Sequence, residues 1–409
     1  MPGLASVGAL IAAVTILQMG QGLLGAHMPL AFTAQGHAGA LFSFVAAAYS
    51  AGFMFGAAIA TRLLARVGHI RVFAACASVL SVSTLALFIA DSVTVWMVTR
   101  AAAGVAVALM FGAAESWMSA SIQKSERGNI LGFYMVCTKA ALAIGPLLIV
   151  SAAPGDAAPW MIAAALASIA MIPVCATTAA QPEPPKPQPL AVAEQFRTAP
   201  AAVIACFGAG AVNAGVLAFA PLFAAEHYGA GAASSFYSAA WLGSLLLQWP
   251  AGRLSDRVDR RMVIAGLTGL AAIAALALAV FAGAAPAWAG MALFALWGAG
   301  GLSFYGIAVA HMADRAPPAV IAQATSGLLF VWALGSVIGP AAQWPFVHFF
   351  GSGGVFWFAG LCAAAITGAM FWRGAQREPA SPEVKENFAA PQTTSVVAAE
   401  IAYGKPDAR

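Results

Sequence analysis

Nearly all Lys and Arg residues of this chain lie in every second polar segment between its apolar stretches. Long apolar stretches alternate with short polar segments, and assigning those segments in turn to two sides of a membrane leaves 17 of the 19 cations on one side. Because Lys and Arg in short loops stay cytoplasmic during insertion, this asymmetry predicts the number of crossings and their direction. The opposite side holds Asp91, Asp156 and Glu226. The Lys and Arg residues assigned to the cytoplasmic side are Arg62, Arg66, Arg71, Lys124, Arg127, Lys186, Arg197, Arg253, Arg257, Arg260, Arg261, Arg315, Arg373, Arg377, Lys385, Lys405 and Arg409.

Composition supports a membrane location. Hydrophobic residues make up 61% of the chain and charged residues 8%, whereas about a quarter of the residues of a soluble domain are charged. A helix needs roughly 20 apolar residues to cross the hydrocarbon, and these stretches lack the two-residue alternation of a membrane barrel. We therefore predict an all-α polytopic membrane protein with both termini in the cytoplasm. Its twelve predicted spans are 7–31, 40–61, 72–90, 93–117, 130–151, 158–179, 200–223, 233–251, 262–283, 288–311, 320–343 and 354–372.

The two halves of the chain repeat the same motifs at an offset of roughly 191–194 residues. Ile144-Gly145-Pro146 in the fifth span recurs as Ile338-Gly339-Pro340 in the eleventh, and three further motifs recur in the same order, which indicates an internal repeat. Five prolines within eight residues favour an extended connection between the halves. The predicted organisation is an N-terminal six-helix bundle at 1–180, a Pro-rich cytoplasmic linker at 181–199, a C-terminal six-helix bundle at 200–373 and a disordered cytoplasmic tail at 374–409.

A charged signature follows the second and the eighth spans. The second-half copy runs Gly252-Arg-Leu254-Ser-Asp256-Arg257-Val-Asp259-Arg260-Arg261, and the first-half copy has Ala65 at the position of the carboxylate. Together with Arg100 and Gly104 in the fourth span, these residues resemble the major facilitator superfamily, within it a bacterial subgroup of mostly unassigned substrates. The resemblance covers nearly all of residues 1–372. It implies two pseudo-symmetric six-helix bundles in the bacterial inner membrane, with a substrate site between them near the midplane.

The resemblance also implies that one bundle rocks against the other during transport. The loops 62–71 and 253–261 would then latch the cytoplasmic face in the outward-open state, with Asp256 pairing with arginines or with a helix end. The alternative is that these arginines serve only as topology anchors. The predicted gating residues are Arg62, Arg66, Arg71, Arg253, Asp256, Arg257 and Arg260.

Polar and aromatic side chains within the spans are the candidates for solute binding. Arg100 lies where a charge is unfavourable and usually functional, and its guanidinium could hold a carboxylate or a heterocycle carbonyl. Tyr237, Trp241, Ser244 and Gln248 follow the i, i+4, i+7, i+11 spacing of one helical face. The alternative is helix–helix hydrogen bonding, which recruits the same residue types in membranes. The predicted binding residues are Arg100, Gln18, Gln21, Tyr237, Trp241, Asn213 and Tyr305.

Glu115 and Lys139 are candidates for coupling transport to protons. Glu115 lies near the cytoplasmic end of the fourth span, and Lys139 lies about nine residues deep in the fifth. Because consecutive spans run antiparallel, we hypothesise an ion pair that breaks or becomes protonated during the cycle. The alternative places Glu115 at the headgroup level and bonds Lys139 to helix carbonyls.

These features favour a secondary active transporter that moves a small organic solute by alternating access. ATP hydrolysis is unsupported because the sequence contains no phosphate-cradling loop. Few buried acids and an aromatic, neutral-polar cavity favour uptake of a neutral heteroaromatic nutrient such as riboflavin, since some riboflavin importers of this superfamily look similar. The alternatives are efflux of amphipathic drugs or metabolites by proton antiport, and a non-transporting membrane receptor or scaffold. Leu147-Leu148-Ile149 stands where an antiporter motif would continue into glycines, which counts against efflux.

The predicted partners follow from the same reasoning. We expect a small-molecule substrate, the lipid bilayer and protons as partners of a monomer. We expect no enzymatic activity, no cofactor, no metal and no nucleic-acid binding, and we assign the net charge of +4 to membrane topology.

The predicted topology is testable by cysteine accessibility. In a chain without its native cysteines, a Lys186→Cys variant should react with a membrane-impermeant maleimide in inside-out vesicles, because the linker is predicted to be cytoplasmic. An Asp156→Cys variant should react in intact cells. Labelling of the linker position in intact cells would contradict this topology.

Overall fold

The computed structural model is helical across the part of the chain that it describes. The described residues are 2–122, 126–177, 181–182, 192–281, 284–317 and 320–378, together with 385, 388 and 395. These residues contain no strand, which confirms the all-α fold class. Residues 183–191 of the predicted linker and most of the predicted tail 374–409 lie outside the described residues, as do Lys124 and Lys186.

Fifteen α-helices and three short 3-10 turns occur in this described part. The turns are Gly39–Leu41, Gly145–Ile149 and Gly351–Gly353. The helices are α1 Pro2–Ala34, α2 Phe42–Val67, α3 His69–Ile89, α4 Val93–Ser121, α5 Arg127–Ile144, α6 Ala158–Ile169, α7 Met171–Ala176, α8 Val192–Thr198, α9 Pro200–Tyr228, α10 Ala232–Arg257, α11 Arg260–Phe281, α12 Ala287–Gly301, α13 Phe304–Arg315, α14 Ile321–Phe350 and α15 Gly354–Gln376.

The helices form a multi-pass membrane protein. Ten segments of the described chain are long and apolar enough to cross a membrane. The last of them, Gly327–Gln376, contains two helices, because the turn Gly351–Gly353 separates α14 from α15. Helix α10 has sufficient length at 26 residues but is more polar than the other long helices, since it carries the predicted face from Tyr237 to Gln248. With these two additions the arrangement is consistent with twelve crossings.

The tenth span is interrupted, whereas the sequence predicted one helix at 288–311. Helix α12 ends at Gly301 and α13 begins at Phe304. Glycines are concentrated here, and glycine is second only to proline in disfavouring a helix interior. The carbonyls of Gly301 and Leu302 accept hydrogen bonds from side chains of other helices. Irregular backbone is tolerated at membrane depth where its polar groups find such partners.

The two halves pack their helices through equivalent contacts. Helix α2 packs on α4 in the first half, and α10 packs on α12 in the second. A Cβ atom added at Gly104 would overlap the carbonyl oxygen of Tyr49, and one added at Gly298 would overlap the carbonyl oxygen of Ala240. Small residues allow membrane helices to approach this closely. The repeat of the sequence is therefore also a repeat of packing.

The two ends of the molecule are packed differently. We call the end that carries loops 62–71 and 253–261 the cationic end and the other the opposite end. At the opposite end one buried apolar cluster joins both halves, with the ring centroids of Phe42 and Phe219 6.5 Å apart. Toward the cationic end each half has its own buried cluster, although Leu329 of α14 packs into the first-half cluster. Contacts between the halves also join α2 to α14, α5 to α10 and α1 to α9.

The glycine contacts predict which small residues the fold requires. Gly104→Ala and Gly298→Ala should each lower stability by about 1–3 kcal/mol, because the added methyl group overlaps a carbonyl of the neighbouring helix. Gly266→Ala is the matched control, since a Cβ there meets nothing within 4 Å. Thermal unfolding of the detergent-purified protein measures the difference. Equal midpoints for the three variants would contradict this packing.

Candidate functional site: a cavity between the two halves

A cavity of about 300 Å³ lies between the two halves of the protein. The apolar cluster of the opposite end forms part of its wall, since Met28 and Phe42 belong to both. The structure brings all the predicted binding residues to this one cavity, although the sequence distributes them over five spans. These binding residues are Gln18, Gln21, Arg100, Asn213, Tyr237, Trp241 and Tyr305. Their contact with a solute stays a prediction.

Arg100 lies on α4 with an aromatic ring as its neighbour. Its guanidinium carbon is 4.1 Å from the centroid of the Tyr49 ring, within the range of a cation–π interaction. The ion pairs of the described residues do not include Arg100. Tyr237 packs against Gly25, where a Cβ atom would overlap the phenol group. The close approach of α1 and α10 therefore places Tyr237 in the same cavity as Arg100.

Lys139 joins the two halves within the cavity. From α5 its ammonium donates to the Ser244 hydroxyl and the Gln248 side-chain oxygen on α10. It also donates to the Leu302 carbonyl at 3.3 Å, at the break between α12 and α13. An ammonium has three N–H donors, so these three acceptors can satisfy all of them. The predicted polar face of α10 thus supplies two of the partners of Lys139.

Glu115 has different partners from Lys139 in this conformation. Its carboxylate is fully buried on α4. It accepts hydrogen bonds from the Tyr134 hydroxyl at 2.7 Å and from the Ser395 hydroxyl. An ion pair with Lys139 is not among those of the described residues. The bond of Lys139 to a carbonyl agrees with the alternative considered from the sequence, and the coupling role stays a prediction.

The charged loop of the second half is held mainly by contacts within that half. The Arg260 side chain is 1% exposed and forms ion pairs with Asp314 at 2.6 Å and with Asp256 at 3.1 Å. Asp256 therefore pairs with an arginine of its own loop, and its role in a latch between the two loops stays a prediction. The arginines of loop 62–71 are exposed, and the ion pairs of the described residues do not connect this loop to 253–261. A latch between the loops would belong to another conformation.

The other arginines of the second-half loop have separate environments. Arg257 is exposed, and so is Arg253, whose guanidinium carbon lies 3.6 Å from the centroid of the Trp249 ring. Arg261 forms an ion pair with Asp259 at 2.7 Å. Burial raises the pKa of Asp259, but the hydrogen bonds and the charge of Arg261 lower it more, so the pKa lies below its usual value. Asp259 is thus held as a carboxylate beside the start of α11.

Lys385, Phe388 and Ser395 of the tail contact the cationic end, and the Lys385 ammonium donates to the Val258 carbonyl at 2.6 Å. The backbone N–H of Phe388 donates to the Asp256 carboxylate at 3.0 Å. The Ser395 hydroxyl donates to the buried Glu115 carboxylate. Lys385 and Phe388 therefore contact the second half, and Ser395 contacts the first.

Tyr49 and Phe53 line the cavity but were not among the predicted binding residues. They lie four residues apart on α2, which is the spacing that pointed to Tyr237 and Trp241 on α10. This spacing was the available signal in the sequence. It is weak, because aromatic residues four apart also pack helices together. Only the position of α2 beside the cavity distinguishes the two roles.

The cavity offers polar and aromatic side chains rather than metal ligands. Across the described ranges, no group of three or more His, Cys, Asp or Glu residues is arranged to hold a metal ion. The cysteines are free thiols, at Cys76, Cys137, Cys175, Cys206 and Cys362.

Two repeated helical halves around a central polar and aromatic cavity define a membrane transporter. A sequence profile of the Major Facilitator Superfamily matches residues 10–340 and 230–405. The chain belongs to this superfamily, which confirms the resemblance seen in the motifs.

Individual relatives agree with this family. The uncharacterized MFS-type transporter YcaD of Escherichia fergusonii is 26% identical over 301 residues, which is 73% of this chain and 77% of the relative. YcaD of Salmonella arizonae has the same identity and coverage. The crystal structure of a variant of the nucleoside transporter NupG has a TM-score of 0.75 at 14% identity and covers 89% of this chain and 99% of its own. A D-xylose-proton symporter has a TM-score of 0.71 at 15% identity, with coverages of 90% and 97%. At these identities the solved structures show a shared fold alone.

The buried ion pair of Arg260 predicts an unequal effect of two arginine substitutions. Arg260→Gln should destabilise the protein by about 3–5 kcal/mol, because it removes a positive charge from the buried Asp314 carboxylate. Arg253→Gln is the matched control and should cost about 1 kcal/mol or less, since it loses an exposed cation–π contact. Thermal unfolding in detergent separates the two. A larger loss in the Arg253 variant would contradict the structural role of Arg260.

Proposed function

We propose that this protein is a secondary active transporter of the bacterial inner membrane, with both termini in the cytoplasm. It carries a small, flat organic solute through the cavity between its halves by alternating access. The observation that carries this proposal is the cavity itself, because residues of both halves line it and all the predicted binding residues meet there. A site shared by two bodies can change its access when those bodies move.

The difference between the two ends supports an inward-facing conformation. Apolar residues of both halves pack together at the opposite end, where Phe42 meets Phe219. At the cationic end the described ion pairs stay within one half. In the outward-facing state the apolar cluster would separate, and loops 62–71 and 253–261 would approach each other and form the latch. Each state then has contacts that the other lacks, as a two-state gate requires.

Lys139 is the residue through which movement and proton coupling would be linked. Its bonds to Ser244, Gln248 and Leu302 join α5 to the second half, so rocking of the halves must rearrange them. Glu115 would become a partner of Lys139 only after its own bonds to Tyr134 and Ser395 change. Coupling through an ion pair of these two residues therefore requires a second conformation.

The size and walls of the cavity favour a small aromatic or heterocyclic solute. Tyr49, Tyr237 and Trp241 offer flat surfaces, and Gln18 and Gln21 offer neutral hydrogen-bonding groups. The relatives named above give no support to riboflavin as the particular solute. Efflux of amphipathic compounds would use similar walls, and the direction of movement separates it from uptake.

Alternating access can be tested before the solute is known. In a chain without native cysteines, a Ser336→Cys variant places one thiol in the cavity. A membrane-impermeant maleimide should label this thiol both in right-side-out and in inside-out vesicles, because the cavity opens to each side in turn. A Glu194→Cys control, at an exposed position of α8, should react only in inside-out vesicles.

A cross-linked variant tests whether labelling of the cavity thiol depends on movement of the two halves. Cross-linking Phe42→Cys to Phe219→Cys across the apolar cluster should abolish labelling of the cavity thiol from the outside and preserve labelling from the inside. Cavity labelling from one side alone in the variant without the cross-link would refute alternating access. That outcome would favour a static receptor or scaffold.

A further inference from the structure

Two buried cations share the transport cavity. Arg100 on α4 and Lys139 on α5 both line it, and each is only 7% exposed. Its described lining residues include no Asp or Glu. The cavity therefore carries two formal positive charges on its own wall, in a setting where isolated charges are unfavourable.

No described acidic residue forms an ion pair with either of these cations. The ion pairs of the described chain lie elsewhere, at Arg197, Arg260 and Arg261. Glu115 is outside the cavity lining and accepts hydrogen bonds from Tyr134 and other partners. Neutral acceptors satisfy the hydrogen bonds of a cation but leave its charge in place.

The two cations differ in how many of their N–H donors are available to a ligand. Lys139 can use its three donors on Ser244, Gln248 and Leu302. The ring of Tyr49 packs against one face of the Arg100 guanidinium. A guanidinium has five N–H donors in its plane, in a fork that matches a carboxylate. Arg100 is therefore equipped to bind an anion directly, and Lys139 adds positive potential.

We propose that the solute is an organic anion, a carboxylate attached to a flat aromatic body. Its carboxylate accepts paired hydrogen bonds from Arg100, and its ring lies against aromatic walls that include Tyr237 and Trp241. This inference rests on the proposed transport function and names the substrate class of the same cavity. It replaces the prediction of a neutral solute. That prediction rested on the small number of buried acids, whereas the structure places both Arg100 and Lys139 in one cavity.

Matched acid and amide pairs test the charge requirement. The probes are indole-3-acetate and indole-3-acetamide, nicotinate and nicotinamide, and 4-hydroxybenzoate and 4-hydroxybenzamide. Each is titrated into the full-length, detergent-purified protein while thermal unfolding is followed, because a ligand of the folded state raises the midpoint. At least one acid should bind about tenfold or more tightly than its amide, as expected for loss of a charge-assisted hydrogen bond. If no acid exceeds its amide, including the case in which no probe shifts the midpoint, the anion proposal is overturned.

Variants assign the selectivity to Arg100. Arg100→Gln should bind an acid and its amide equally weakly, whereas Arg100→Lys, which keeps the charge but loses the fork, should retain part of the preference. Arg197→Gln is the matched control at an exposed position and should behave as the parent chain does. Should Arg100→Gln fail to fold, the Arg100→Lys result decides, and unchanged selectivity there overturns the role of the guanidinium fork. Alternating cavity labelling without acid selectivity would leave the transport proposal standing and remove only the anion.

Discussion

The absence of water from the bilayer core is the constraint on which this structure depends. Every backbone N–H and C=O group within the membrane must find a partner in the protein. The chain satisfies them with long helices, and glycines such as Gly104 and Gly298 let those helices pack backbone to backbone. Without a hydrophobic driving force between lipid-exposed helices, such close contacts hold each half together. The same contacts recur in both halves, so each half is suited to move as one body.

One departure from this rule coincides with the cavity. Between α12 and α13 the helix is interrupted, and the carbonyls of Gly301 and Leu302 face the side chains of Asn213 and Lys139. These bonds satisfy polar groups that lipid could not. The bond of Lys139 also connects the two halves, because Lys139 belongs to the first and Leu302 to the second. A single irregularity thus both lines the cavity and supplies a contact that must change when the halves move.

Much of the fold could be predicted from residue types alone, while the site could be predicted only in part. The predicted spans overlap the observed helices, since apolar length is a local property, although α10 extends to Arg257 instead of 251 and α14 to Phe350 instead of 343. Tyr237, Trp241 and Gln248 of the predicted face of α10 line the cavity, whereas Ser244 is not one of its lining residues, and binding of a solute by this face stays a prediction. The break in the tenth span was missed, since its glycines are equally compatible with close helix packing. Tyr49 was missed because nothing local distinguishes a ring in a cavity wall from one between helices.

The sequence by itself determined the membrane class, the order of the spans and the repeat, because hydrophobicity, cation placement and motif spacing act along the chain. Tertiary structure alone decided which partners the buried charges have. It gave Lys139 the acceptors Ser244, Gln248 and Leu302 in place of Glu115, and it placed Arg100 beside Tyr49. The physical reason is that charge compensation depends on distances between helices far apart in sequence, and no local pattern encodes those distances.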